Sequence, residues 1–253
     1  MTAHAGLRAE IDAGRREHLA VMLAVVSGVT DAAGFVGLGG AFSSVMTGNM
    51  VLLGLAGGSG DAALAARAAS AIVAFILGCI IGTRLAGHHT DGEAVWPTSV
   101  TRALIAELAV FCIYAVALQL AGGQATGTVL KTALLACNAV ALGIQSSAIQ
   151  RFGVSGLSTT YLTGTLTTTV VHLTSRRPIS GVALNFRLLA ALVGGAVVGG
   201  FVASNALRYV PLLQIAGVGT VILAASLPRV QRRVTELRDT GPRSAHNPRS
   251  GRV

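Results

Sequence analysis

The chain has 253 residues, 52% of them hydrophobic and only 11% charged, with a net charge of +9 and a mean hydropathy of +0.68. Soluble domains carry about 25% charged residues, so the composition excludes one and describes an integral membrane protein of a single domain. The basic excess is not a nucleic-acid footprint: Arg8, Arg15 and Arg16 precede the first apolar run and seven arginines follow Leu227, where they read as orientation signals flanking membrane spans.

Residues 1–18 hold Arg8, Glu10, Asp12, Arg15, Arg16 and Glu17 and are expected to form a soft cytoplasmic tail, with at most a turn or two of interfacial helix. The apolar run that follows resembles a signal peptide at its start. It runs on to Leu38 without a clean small-residue cleavage site, which predicts an uncleaved first helix, cleavage being the alternative. That helix carries Asp31, and a charge at the bilayer centre costs about 2.5–3.5 kcal/mol. Ser27, Gly28 and Gly34 share the face of Asp31, so the acid is expected to point into the bundle. It either couples a proton or ties helices together by hydrogen bonds.

Gly37, Gly39 and Gly40 loosen the end of this helix. The patch Ser43-Ser44-Val45-Met46-Thr47-Gly48-Asn49 follows, then a short apolar run. Ser44 to Ala56 is too short for a span, which needs about 20 residues. It is expected to be re-entrant or half of a helix broken at Thr47-Gly48-Asn49. The second span is predicted over 68–86, with Gly78 and Gly82 spaced for close helix contact. The loop 87–102 contains His88, His89, Asp91 and Glu93, read as solvated rather than as a metal site. The third span covers 103–121 and holds Glu107, a secondary candidate functional residue, with Tyr114 on the same face.

The fourth span is predicted from about 128 to 149, with Asn138 and Gln145 on one face as a polar seam. A second polar patch follows, Ser158-Thr159-Thr160-Tyr161-Leu162-Thr163-Gly164-Thr165, leading into an apolar run that includes His172. The fifth span, 188–204, carries Gly194-Gly195 and Gly199-Gly200, and the sixth runs from about 209 to 227. The tail 228–253 is rich in Arg, Pro and Ser and is expected to be disordered.

Two series of residues recur. Gly28 to Asn49 is echoed by Gly143 to Thr165, with Ser43-Ser44 matching Thr159-Thr160, and Gly78/Gly82 aligns with Gly195/Gly199. The expected fold is therefore an all-α polytopic transmembrane bundle of about six spanning helices plus two broken or re-entrant Thr-Gly segments. It carries an internal 3+3 repeat with halves at about 19–121 and 128–227. If the Thr-Gly segments cross fully, the count is eight. Gly-interrupted segments at matching places in two halves point to a transporter-type binding site.

The same residues carry a resemblance. Asp31-Ala32, Phe35, Leu38, Phe42 and Ser44 to Asn49, with Ala141 to Ser146 and Thr159 to Thr165, resemble the signatures of the YoaK-like family of bacterial inner-membrane proteins, over about 19–227. The resemblance implies about six membrane helices and an inner-membrane location. It implies no activity.

Enzyme signatures such as GxSxG, HExxH, Walker A and GxGxxG are absent, so no enzymatic activity, metal or cofactor is expected. Cys79, Cys112 and Cys137 fall in separate apolar runs and predict neither disulfides nor zinc. The leading expectation is a small-solute transporter or channel of the inner membrane, with both ends cytoplasmic. Its site would lie at Asp31, Ser44, Thr47, Gly48, Asn49, Gln145, Thr160, Thr163, Gly164 and Thr165. Helix restarts that turn free amides inward favour a polar or anionic solute. A membrane scaffold or accessory subunit is the second reading, and an intramembrane enzyme the third. The expected partners are the lipid bilayer, the solute, and a second copy through the Gly78/Gly82 or Gly195/Gly199 faces, with no nucleic acid.

Overall fold

A computed structural model describes residues 2–87, 96–150, single positions between 164 and 174, and 182–239, with side chains described from 14 to 226 within those ranges. The elements are α1 (Thr2–Gly37), α2 (Met46–Ser59), α3 (Ala62–Ala86), α4 (Thr98–Leu120), α5 (Thr128–Gln150), α6 (Val182–Ala206) and α7 (Val210–Asp239), with a 3-10 turn at Leu207–Tyr209. No strand occurs among the described residues. The segment 1–18, expected as a soft tail, is helical from Thr2; it holds no proline, and its Ala, Leu, Glu and Arg residues favour a helix over the cost of Gly6 and Gly14. Helix α7 likewise continues beyond 227; residues 240–253 lie outside the described residues.

Among the described residues five apolar stretches are long enough to cross a membrane: Gly14–Gly37, Ala62–Ala86, Thr98–Leu120, Thr128–Gln150 and Ala183–Ser226. The last is 44 residues long and contains both α6 and the apolar part of α7, with the 3-10 turn between them. Helix α2 has 14 residues. At 1.5 Å per residue it reaches about 21 Å, short of the roughly 30 Å hydrocarbon thickness. It packs along α3 and turns Met50, Val51 and Leu55 outward. Large apolar side chains exposed on the outside, such as Val51, Leu120, Val129, Phe186 and Phe201, fit a lipid-facing surface.

Local chemistry sets the helix ends. Gly60 closes α2 in the left-handed region at φ 73°, and Asp61 caps α3 by accepting from the Leu64 amide at 2.9 Å. Pro97 precedes α4, and Gly122, Gly123 and Gly127, all at positive φ, reverse the chain into α5.

Named contacts fix the helix directions. Gln214 meets Thr30 and Gly217 meets Val26, so α7 runs antiparallel to α1. Gln145 bonds to Leu23 and Ser27, while Asn138 joins the Gln214–Thr30 pair, so α5 is also antiparallel to α1. Gln119 Nε2 donates to the Arg208 carbonyl at 3.2 Å, bringing the end of α4 to the start of α7. Helices α1, α4 and α6 thus run one way and α3, α5 and α7 the other. The start of α1 and the end of α7 therefore lie at one end of the bundle.

Two crossings hold it together, α1 with α6 and α3 with α5, each pair parallel. A Cβ on Gly28 would overlap the Leu192 carbonyl oxygen, and one on Gly195 that of Val25. A Cβ on Gly143 would overlap the Phe75 carbonyl oxygen, and one on Gly78 that of Val140. In all four cases the glycine meets the residue three positions before its partner glycine. Without side chains the backbones touch, and dispersion contacts replace the hydrophobic drive that lipid does not supply. Glu17, near the middle of α1, and Arg187, in the first turns of α6, are 3.5 Å apart, but both are about two-fifths exposed and contribute little.

Helices α4 and α7 flank these pairs. Buried Ala103, Leu104, Glu107, Phe111, Tyr114 and Leu118 on α4 correspond, at one constant spacing, to buried Val210, Pro211, Gln214, Val218, Val221 and Ala225 on α7. The burial pattern of one helix is that of the other.

Candidate functional site

The first polar patch folds around Asp31. Gly39 at φ 103° and Gly40 at φ 87° let the chain leave α1 and turn back on it, and the Gly40 amide bonds to the Phe35 carbonyl at 2.8 Å. The returning segment points its amides at the acid. Asp31 Oδ1 accepts from the Ser43 amide at 2.8 Å and the Ser44 amide at 2.7 Å, and Oδ2 accepts from Ser44 Oγ at 2.5 Å. Three donors converge on one buried carboxyl, so the chain itself supplies the acceptor for the amides of its returning segment.

Asn49 closes the loop. Its Oδ1 accepts from the Phe42 amide at 2.8 Å and its Nδ2 donates to the Phe42 carbonyl at 2.7 Å, pairing the side chain with the backbone as a neighbouring strand would. The Phe42 ring stacks on Phe35 with centroids 4.9 Å apart. A Cβ on Gly48 would come within 3.3 Å of that ring, so glycine there makes room for Phe42.

This corrects the location of the break. Thr47, Gly48 and Asn49 are the second, third and fourth residues of α2, and Gly48 has no positive φ. The irregular chain is Leu38 to Val45, because Gly39 and Gly40 supply the left-handed turn. Thr47 is exposed. Replacing Asn49 with alanine removes both bonds to Phe42 and is expected to cost about 1–3 kcal/mol. A lowered thermal unfolding temperature of the purified protein, with insertion unchanged, checks this.

Of the second patch, Thr160, Thr163 and Thr165 lie outside the described residues, as do His172 and the loop residues His88, His89, Asp91 and Glu93. Gly164 is helical and exposed. Among the described residues no group of three His, Cys, Asp or Glu side chains is placed to hold a metal.

The remaining predicted residues lie in a polar seam between α1, α4, α5 and α7. Gln145 Nε2 donates to Ser27 Oγ at 2.8 Å and to the Leu23 carbonyl at 3.3 Å. Gln214 Nε2 donates to Thr30 Oγ1 at 3.0 Å and Asn138 Oδ1 at 3.4 Å. Tyr114 lies against the Asn138 side chain. Glu107 is wholly buried, and neither carboxylate oxygen has a hydrogen-bond partner. Sequence reasoning missed Gln214. Its signal was a lone amide in the sixth span, at the position that corresponds to Glu107 in the third.

Where α1, the α4–α5 turn and the α6–α7 turn come together, a cavity of about 370 Å³ opens, bordered by Gly37, Gln124, Ser204, Asn205 and Arg208. It lies at the end of the bundle opposite the chain termini.

Long apolar helices, lipid-facing outer side chains and a polar seam inside define a polytopic helical membrane protein. The family profile described as a protein of unknown function, DUF1275, matches residues 19–226. The UPF0700 transmembrane protein YoaK of Bacillus subtilis (strain 168) is 34% identical over 164 residues, covering 65% of this chain and 70% of that protein. The chain belongs to the DUF1275 family, as its resemblance to YoaK-like proteins implied. No solved structure matches it.

Proposed function

We propose that this protein is a bacterial inner-membrane transporter or channel for a small polar or anionic solute, built as an inverted 3+3 repeat. The observation that carries the reading is the pair of exchanged glycine crossings. Helix α1 packs on α6 by the same three-residue rule that governs α5 on α3, while α1 and α5 run in opposite directions. In this reading α1, α3 and α4 form one half and α5, α6 and α7 the other, inserted upside down. Inverted repeats that meet at a polar midplane are the architecture of many secondary transporters.

The basic residues support an orientation with both ends in the cytoplasm. Of 19 Lys and Arg, Arg67, Lys131 and Arg208 belong to the end away from the termini. Short loops rich in Lys and Arg stay inside. Asp31, Ser44 and Asn49 then shape the wall of the site, since their polar atoms are already bonded. Gln145 and Glu107 present oxygens without partners to the interior.

The scaffold reading competes on one observation, that Asp31 and Asn49 serve packing. Pairing of copies through the Gly78/Gly82 or Gly195/Gly199 faces would compete with crossings inside the chain. The test is purified protein in liposomes, screened for uptake of labelled amino acids, small carboxylates and sugars. Uptake of at least one class above empty liposomes, with a matching thermal shift of the protein, is expected. No uptake and no shift across the panel, from protein that remains folded, would count against transport.

A further inference from the structure

The buried polar side chains form two layers. One joins Gln214, Thr30, Asn138 and Tyr114, and the other starts from Gln145 with Ser27 and the Leu23 carbonyl. Helices α4 and α5 run in opposite directions and touch at Tyr114 and Asn138. Glu107 lies seven residues before Tyr114 and Gln145 seven after Asn138, so both reach the second layer at the same level. There, both Glu107 oxygens and Gln145 Oε1 are buried without a donor. The two acids of the bundle are thus opposites: Asp31 receives three donors and Glu107 none.

We propose that Glu107, and not Asp31, is the residue that binds and releases a proton in this protein, with Gln145 Oε1 accepting the hydrogen bond of the protonated acid. A bare carboxylate among acceptors is untenable away from water. One proton removes the charge and satisfies Gln145 at once. A metal cation needs a full shell of oxygen ligands, and this layer offers five oxygens, of which Ser27 Oγ and the Leu23 carbonyl are already bonded to Gln145. The step is balanced by water: an O–H bond forms on Glu107 with a proton taken from solvent, and breaking it returns that proton to solvent when the bundle opens. Coupling of this exchange to a solute rests on the transporter reading above; the exchange itself does not.

Few other ionisable groups face this acid. Helix α7 has none between Val210 and Ser226, and Arg208 sits in the turn before it. Helix α5 offers Lys131 near its start and Cys137; α3 offers Arg67, Cys79 and Arg84; α4 itself offers Arg102 and Cys112, both exposed, and Tyr114. Asp31 of α1 is held by its own loop. Among the described residues no cation pairs with Glu107.

The test is infrared spectroscopy of the full-length purified protein, titrated with acid and base alone. The carbonyl stretch of a buried protonated acid is expected to disappear as pH is raised across the range in which the protein stays folded. It should be absent from Glu107→Gln and retained in Asp31→Asn. Glu107→Asp serves if the glutamine variant does not fold, and should keep a titrating band with a displaced midpoint. A band that survives Glu107→Gln, is lost in Asp31→Asn, or does not change across this range overturns the proposal. A band that titrates as expected in protein that moves no solute upholds the proton site and removes only the transporter reading.

Discussion

Replacing Gly195 with leucine is expected to abolish the folded protein. A Cβ at this position would overlap the backbone carbonyl of Val25, and no rotamer relieves a clash between a Cβ and a main chain. Helices α1 and α6 would have to separate. Overpacking in a well-packed core costs about 1–3 kcal/mol when side chains can yield, and here they cannot, so a loss above about 3 kcal/mol is expected. Gly78→Leu should do the same to α3 and α5 through the Val140 carbonyl. Gly194, one residue away, has nothing within 4 Å of its Cβ, and Gly194→Leu should leave stability within about 0.5 kcal/mol. Yield of monodisperse protein and the unfolding temperature in detergent separate the three. Equal behaviour of Gly194→Leu and Gly195→Leu would mean that the crossing is not backbone on backbone.

The second large effect concerns Asp31. Asp31→Ala strands two buried amides and a serine hydroxyl. A buried donor left without its acceptor costs about 1–3 kcal/mol, so with three of them a total loss of about 3 kcal/mol or more is expected, with the Leu38–Val45 loop released from α1. Asp31→Asn is expected to be mild. The asparagine oxygen can still accept from the Ser43 and Ser44 amides, and its amide can donate to Ser44 Oγ in place of the bond lost. Limited proteolysis near Ser43, alongside thermal unfolding, reads the difference. If Asp31→Ala remains as stable and as protease-resistant as wild type, the acid does not hold the loop.

The spans and the glycine pairs were legible in the sequence because both follow from composition and spacing. A long apolar run has one stable form in lipid, and a small residue every fourth position gives a helix a face that another can approach. The location of the break was not legible. Thr-Gly-Asn in an apolar run has the composition of an interruption, yet Asn49 spends its side chain on Phe42, seven residues back, and Gly48 yields space to the same ring. Those are tertiary contacts, invisible to local reading. The surroundings of the two acids were not legible for a similar reason. Asp31 could be read as a proton-coupling group or as a tie between helices, and its polar neighbours donate three hydrogen bonds to it. Glu107 stands alone in its run, and its isolation is apparent only once α5 and α7 are packed around it.

The proposed transporter architecture requires that six helices cross the membrane while α2 does not, so that the two halves are inverted. Single cysteines introduced at Gly60, Gly87 and Gln124, with Cys79, Cys112 and Cys137 replaced, would be probed in intact cells with a membrane-impermeant thiol reagent. Gly39 approaches Arg67 of α3, and Gly37 and Gln124 border one cavity, so the α2–α3 turn belongs to the end where α1 finishes. The account predicts labelling from outside for Gly60→Cys and Gln124→Cys, and labelling of Gly87→Cys only after the cells are opened. Protection of Gly60→Cys in intact cells would mean that α2 crosses the membrane and that the halves are not inverted.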